Sequence, residues 1–251
     1  MRRDAAALRL QACLNGARPP GKHPALPQTL AALAADAHAV ERAGAEALHL
    51  HLWHGEHETL EAQVLQDTLR AVREATPSLP VGVSTGLWIV STAAERLRVV
   101  ESWATLRVSD RPDFGSVNFL EEGAAAVCEL LLGMGIGIEA GLESVADVER
   151  LERSGLADRC LRWLIELPPA LNISAALTEC GHIHERLDLL GTPVTRLTHG
   201  ADANAWALLA EAKRRGDAAR IGLEDVLRLP DGSLAPDNAA LVRTALAYPP
   251  G

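Results

Sequence analysis

No run of eighteen or more uncharged apolar residues occurs in this chain, so it offers no segment suited to crossing a bilayer as a helix. It also lacks excess positive charge: 24 Lys and Arg stand against 33 Asp and Glu, a net charge of -9, with no basic cluster. Nonspecific nucleic-acid binding depends on cations that neutralise phosphates, and that class is excluded. A disulfide frame and a thiolate zinc site are missing too. Cys13, Cys128, Cys160 and Cys180 are widely scattered with no CxxC pair, which fits reduced, mostly buried thiols and a cytoplasmic location. The opening MRRDAAALRLQACLNG is basic and then apolar, but Arg9 and Gln11 interrupt the apolar part and no small-residue cleavage site follows. No signal peptide is expected. No Pro- or Ser-rich linker, low-complexity tract or long repeat marks a second domain.

What is present is a regular alternation. Nearly half of the 251 residues are apolar, enough for one large core. Short β-rich runs at 9–14, 45–51, 80–85, 114–119, 135–140, 161–167, 193–199 and 220–224 alternate with segments whose apolar residues recur three and four apart. The helical segments are 29–43, 60–75, 93–103, 121–132, 144–154, 172–190, 203–215 and 238–247. Eight β/α units imply parallel strands joined by right-handed crossovers, closing most simply into an α/β TIM barrel over residues 1–251. An open doubly wound sheet would carry GxGxxG after its first strand, and Asn15-Gly16-Ala17-Arg18-Pro19-Pro20-Gly21 does not spell it.

Barrel enzymes gather their chemistry at the carboxyl ends of the strands. The polar residues expected there are Asn15, His49, His51, Ser84, Thr85, Asn118, Glu139, Glu166, His199, Glu224 and Asp225. In a strand, residues i and i+2 share a face, so His49 and His51 can address one metal ion. Glu224 would bring a carboxylate to the same rim, and two His plus one carboxylate is a usual catalytic zinc set with an open position. The bland alternatives are hydrogen-bonded histidines without metal and a charged pair on the following loop. Ser84-Thr85-Gly86 suits an anion or carbonyl cradle or merely a turn. Ser116 and Asn118 share one face. Glu139, flanked by apolar residues, needs a purpose or a buried salt bridge. His199, before Gly200, is a candidate substrate contact. His54 and His57 lie in the following loop, where solvated side chains are the simpler reading. His182 and His184, i and i+2 on a helix interrupted by Gly181, diverge around the axis and are read as surface.

Several stretches together resemble the β-keto acid cleavage enzyme family across nearly the whole chain. They are Cys13-Leu14-Asn15-Gly16-Ala17-Arg18 with His23-Pro24-Ala25-Leu26-Pro27, Ala43-Gly44-Ala45 before His49-Leu50-His51, and Val81-Gly82-Val83-Ser84-Thr85-Gly86. Gly115-Ser116-Val117-Asn118-Phe119 and Arg220-Ile221-Gly222-Leu223-Glu224-Asp225 before Pro230-Asp231-Gly232 complete them. The resemblance implies a zinc-dependent barrel, or one using another divalent metal, that exchanges acyl groups between a small β-keto acid and acetyl-CoA. The products would be acetoacetate and a new CoA thioester. It further implies His49, His51 and Glu224 as metal ligands. Arg220, Asp225 and Ser84 match proton-transfer and orienting residues, Glu139 matches an active-site carboxylate, and a homo-oligomer is expected. Asn15, Thr85, Gly86, Ser116, Asn118 and His199 are the expected substrate-binding set. Trp53 departs from the pattern, since many relatives carry a basic residue two positions after the second histidine. Two other readings compete: a metal-dependent hydrolase or lyase on another small carboxylate, and a non-catalytic barrel that binds a small acid.

Overall fold

The computed structural model describes residues 9–251; the reading of the first eight residues as free of a targeting signal lies outside them. Eight parallel strands close a barrel. They are β1 (Leu10–Cys13), β2 (Ala47–Leu50), β3 (Val81–Ser84), β4 (Phe114–Asn118), β5 (Gly137–Leu142), β6 (Arg162–Leu167), β7 (Thr195–Gly200) and β8 (Ala218–Ile221). Each strand pairs with its neighbours in chain order, and β8 returns to β1 through Gln11 opposite Arg220. Eight helices alternate with the strands: α1 (Leu30–Ala43), α2 (Ala62–Ala75), α3 (Ala93–Glu101), α4 (Ala124–Gly133), α5 (Val145–Ser154), α6 (Ile173–Asp188), α7 (Ala205–Arg215) and α8 (Asn238–Ala247). This is the eight-fold β/α barrel that the alternation implied.

Local chemistry sets the helix ends. Thr29, Thr92, Asn172 and Asp237 each accept a backbone N–H in the first turn of the helix that follows, satisfying donors that a helix leaves open. At the start of α5, Asp147 Oδ2 accepts from both the backbone N–H and the hydroxyl of Ser144, each at 2.9 Å. The predicted break at Gly181 does not occur, and α6 runs unbroken through it. His184 also departs from the surface reading: it is 2 % exposed, with Nε2 2.7 Å from Asp217 and Nδ1 2.8 Å from the Cys180 carbonyl. His182 is exposed as expected.

Strand alternation sorts the barrel into an outer and an inner set. Leu48, Leu50, Val81, Val83, Val117, Ile138, Ile165 and Ile221 belong to the main apolar core. Ala47, Phe114, Leu164, Leu197 and Ala218 form a separate buried cluster that plugs the barrel interior. Gly82 makes room for this plug, since a Cβ there would sit 1.9 Å from the Phe114 ring. Two residues further along the inward rows come His49, Ser116, Glu166, His199 and Arg220. The period of two therefore turns an apolar plug into a polar upper layer. All four cysteines are buried and unpaired. Among the described residues no helix is long and apolar enough to cross a membrane.

Candidate metal and active site

A cavity of about 330 Å³ opens over that layer, lined among others by His49, His51, Ser84, Ser116, Asn118, Glu166, Arg220 and Glu224. A larger one, about 610 Å³, lies at the opposite end beside Arg9, Thr195, Lys213 and Asp217. Barrel chemistry gathers at the carboxyl ends of the strands, and of these two cavities the smaller is there.

The ligand-type atoms of His49, His51 and Glu224 all lie within 4.8 Å of one another. Oε1 of Glu224 is 3.4 Å from Nε2 of His51 and 3.9 Å from Nε2 of His49. Donors about 2 Å from a tetrahedral ion stand about 3.3 Å apart, so the trio needs only a small contraction to hold one. The donor set fits: two imidazoles and a carboxylate, all partly or fully buried, with Glu224 Oε2 buried and lacking a hydrogen bond.

These ligands are aimed from behind. Nδ1 of His51 lies 2.5 Å from Oε1 of Glu58, which leaves Nε2 free for the cavity. Glu58 sits on a two-residue ribbon, Trp53–His54 against His57–Glu58, and its other oxygen accepts from the Trp88 indole at 2.9 Å. The Trp88 ring stacks on His51 at 6.3 Å between centroids. His49 faces Glu139, with Nδ1 and Oε2 3.9 Å apart and neither atom hydrogen-bonded. Gln11 Nε2 and Arg162 Nε both donate to the other Glu139 oxygen. Glu139 is completely buried, one layer below the cavity, so the ion pair with Arg162 and a role behind His49 coexist.

Glu224 is reached by a turn and not by the strand. β8 ends at Ile221, earlier than the expected 224, because Gly222 O accepts from both Asp225 N and Val226 N. Gly222 cannot be larger: a Cβ would lie 1.8 Å from the Cys13 carbonyl oxygen. Gly16, at φ +58, packs so closely that a Cβ would fall 2.4 Å from Glu224 Cγ. Arg220 Nη2 bridges Glu224 Oε1 and Asp225 Oδ1, each at 2.8 Å. Burial would raise the Glu224 carboxyl, but Arg220 and the two imidazoles override it and hold it well below the usual carboxylate range. Burial dominates at Asp225 and pushes it up, with Arg220 and His199 opposing. Burial lowers His49 to about 4. It acts the same way on His51, where Glu224 and Glu58 outweigh it and raise the imidazole to about 9.

The other expected residues divide by position. Ser84, Ser116 and Asn118 line the cavity. Asn15 instead pairs with the backbone of His51, donating to its carbonyl and accepting its N–H, both at 3.0 Å. Thr85 donates to the Ser116 carbonyl, and Trp88 covers Gly86, where a Cβ would meet its ring at 2.2 Å. His199 and Asp225 lie just behind the wall, each 2 % exposed. His54 and His57 are exposed on the ribbon. Trp53 does not line this cavity; its indole donates to the Gly16 carbonyl at 3.0 Å and so braces the turn against Glu224. Sequence reasoning missed Glu58, Trp88 and Arg18. Arg18 also lines the cavity and donates to the Glu224 and Asp225 carbonyls and to Asp202. The RxGxED spacing gave no hint of an arginine two hundred residues away.

A family model described as beta-keto acid cleavage enzyme matches residues 8–248. This chain belongs to that family. The chain is 25 % identical over 249 residues to 3-keto-5-aminohexanoate cleavage enzyme of Fusobacterium nucleatum subsp. nucleatum, covering 93 % of this chain and 88 % of the relative. Among solved structures, ObcA in binary complex with oxaloacetate superposes with a TM-score of 0.70 at 16 % identity over 89 % of this chain, and apo ObcA with 0.67 at 17 %. The chain spans 61–63 % of the length of those ObcA chains. A type I 3-dehydroquinate dehydratase from Clostridium difficile gives 0.64 at 8 % identity, covering 90 % of this chain and 87 % of that one. These likenesses show the barrel fold.

Proposed function

We propose that this member of the β-keto acid cleavage enzyme family exchanges acyl groups between a small β-keto acid and acetyl-CoA, yielding acetoacetate and a new CoA thioester. The observation that carries the reading is the His49, His51 and Glu224 trio beside Asp225 and Arg220 at the barrel rim. Family membership, the relative named for 3-keto-5-aminohexanoate cleavage, and the solved ObcA complex with a C4-CoA adduct support it. The three side chains would hold zinc or another divalent ion, which when bound polarises the carbonyl and stabilises enolate charge.

The remaining steps fall to the protein. Asp225 takes a proton from the carbon between the ketone and the carboxylate, leaving the bonding pair as an enolate. Its Oδ2 has no hydrogen-bond partner and is the oxygen left for that proton, met once the wall side chains over it give way to the substrate, while Arg220 holds Oδ1. The enolate carbon attacks the acetyl-CoA carbonyl and expels CoA thiolate. The thiolate adds to the original ketone, the old carbon–carbon bond breaks, and the released acetoacetate enolate recovers the proton from Asp225. Ser84, Ser116 and Asn118 orient the substrate from the opposite wall, where positioning lowers the barrier. Glu139 acts from behind His49, and Asn15, Thr85 and Gly86 shape the wall through the backbone. The same reading carries a cytoplasmic homo-oligomer. The test is mass spectrometry of CoA esters after incubating zinc-loaded protein with acetyl-CoA and a panel of β-keto acids. A new acyl-CoA with acetoacetate in equal amount supports the reading, and β-keto acid consumed without any new thioester overturns it in favour of a hydrolase or lyase.

A further inference from the structure

His199 was expected to touch substrate; it lies behind the cavity wall at 2 % exposed, level with Asp225. Its ring lies instead between two carboxylates. Nδ1 is 3.6 Å from Asp225 Oδ1 and 3.4 Å from the Gly200 carbonyl, and Nε2 is 3.4 Å from Glu166 Oε2. The Gly200 contact is a long hydrogen bond, Nε2 has no hydrogen-bond partner, and the two carboxylates stand at distances that a protonated imidazole would make ion pairs, loose as contacts around a reacting group often are before substrate binds. Glu166, His199 and Asp225 come from three successive places around the rim: β6, β7 and the turn after β8. Glu166 lines the cavity, so the row runs from the cavity wall to the buried carboxylate behind Arg220.

This arrangement treats the two oxygens of Asp225 differently. Oδ1 accepts from Arg220 and faces His199, whereas Oδ2 is buried without a partner. A carboxylate held by only one guanidinium nitrogen can swing about that contact; a second cation-capable group on the same oxygen restrains it. We propose that His199, anchored by Glu166, is a positioning residue that fixes the Asp225 carboxylate with Oδ2 as its free oxygen. The proposal rests on the reading of Asp225 as the proton acceptor. Neither His199 nor Glu166 belongs to the metal-ligand trio, so their loss leaves metal content unchanged.

Deuterium exchange at the carbon between the carbonyls of acetoacetate, followed by NMR in D₂O with zinc-loaded protein and no CoA, isolates this step. His199→Ala lowers the saturating exchange rate about tenfold or more with an unchanged half-saturating concentration, the size expected for losing an outer-shell partner. His199→Gln, which keeps an N–H donor, recovers part of the rate. Glu166→Gln lowers the rate in the same direction; its side chain is 31 % exposed, so it carries the test should His199→Ala not fold. A variant that exchanges at the wild-type rate overturns the proposal, as does a raised half-saturating concentration at an unchanged saturating rate, which marks a substrate contact. Wild-type protein that exchanges no faster than buffer overturns the role of Asp225 itself, and this proposal with it.

Discussion

Behind each imidazole of the candidate metal trio stands a carboxylate, and the two differ in kind. Glu58 meets His51 at 2.5 Å from a surface ribbon, while Glu139 waits 3.9 Å from His49 in the barrel interior, already engaged by Gln11 and Arg162. A carboxylate behind a ligand fixes its tautomer and raises its basicity. Glu58→Gln is therefore expected to weaken metal binding about 10- to 100-fold without changing the fold, read by competition with a chelator. Unchanged affinity would make the contact a surface ion pair. Glu224 and Asp225 separate more sharply. Glu224→Gln loses metal, whereas Asp225→Asn keeps it and loses turnover by about a hundredfold or more, the range for removing a general base. Normal turnover in Asp225→Asn would refute its role. Gly16→Ala presses a methyl group to 2.4 Å from Glu224 Cγ at a backbone φ of +58, and reduced metal content with a lowered melting temperature is the expected result.

The element that matters most is the turn from Gly222 to Asp225, and Asn238 at the start of α8 holds it in place. Asn238 Oδ1 accepts from Leu223 N at 2.6 Å, while Nδ2 donates to the Leu14 carbonyl at 2.9 Å and to Asp36 Oδ2 at 2.6 Å. One fully buried side chain thus joins β1, α1, α8 and the turn. Asn238→Ala strands these buried groups and is expected to cost about 2 kcal/mol or more, measured by denaturant unfolding. Asp36 adds a pH dependence. Burial raises its carboxyl from 3.8 to about 7, against the lowering effect of the Asn238 amide. The folded chain then holds a proton that the unfolded chain releases, so its contribution to stability falls as pH rises from about 4 to about 7 and is level above that. Asp36→Asn removes this dependence. A wild-type stability profile already matching that of the variant across the window would contradict it.

At the scale of the molecule, the barrel was legible because two periods alternate cleanly, and each barrel strand and each of the eight α-helices overlaps a segment expected to form it, whereas the short ribbon of Trp53–His54 and His57–Glu58 was read as loop. The clustering of His49, His51 and Glu224 was legible for a related reason: a period of two puts His49 and His51 on one face, and Glu224 follows the last strand. Boundaries were harder to read. Gly135, at φ +75, and Ile136 close the end of α4 before β5 begins at Gly137, placing Glu139 deeper than the sequence suggested. Residues that act across the rim left no local trace, because Arg18, Glu58, Trp88 and the Glu166–His199 contact depend on which loop ends meet. His184 shows the same limit, since burial against Asp217 follows from the docking of α6 and not from its spacing. The proposed chemistry needs one ion held by His49, His51 and Glu224, and metal per chain by elemental analysis, on wild type and on His49→Ala after equilibration with zinc, measures it. Near one zinc per wild-type chain, lost in the variant, is predicted; no metal in either, or equal metal in both, would contradict it.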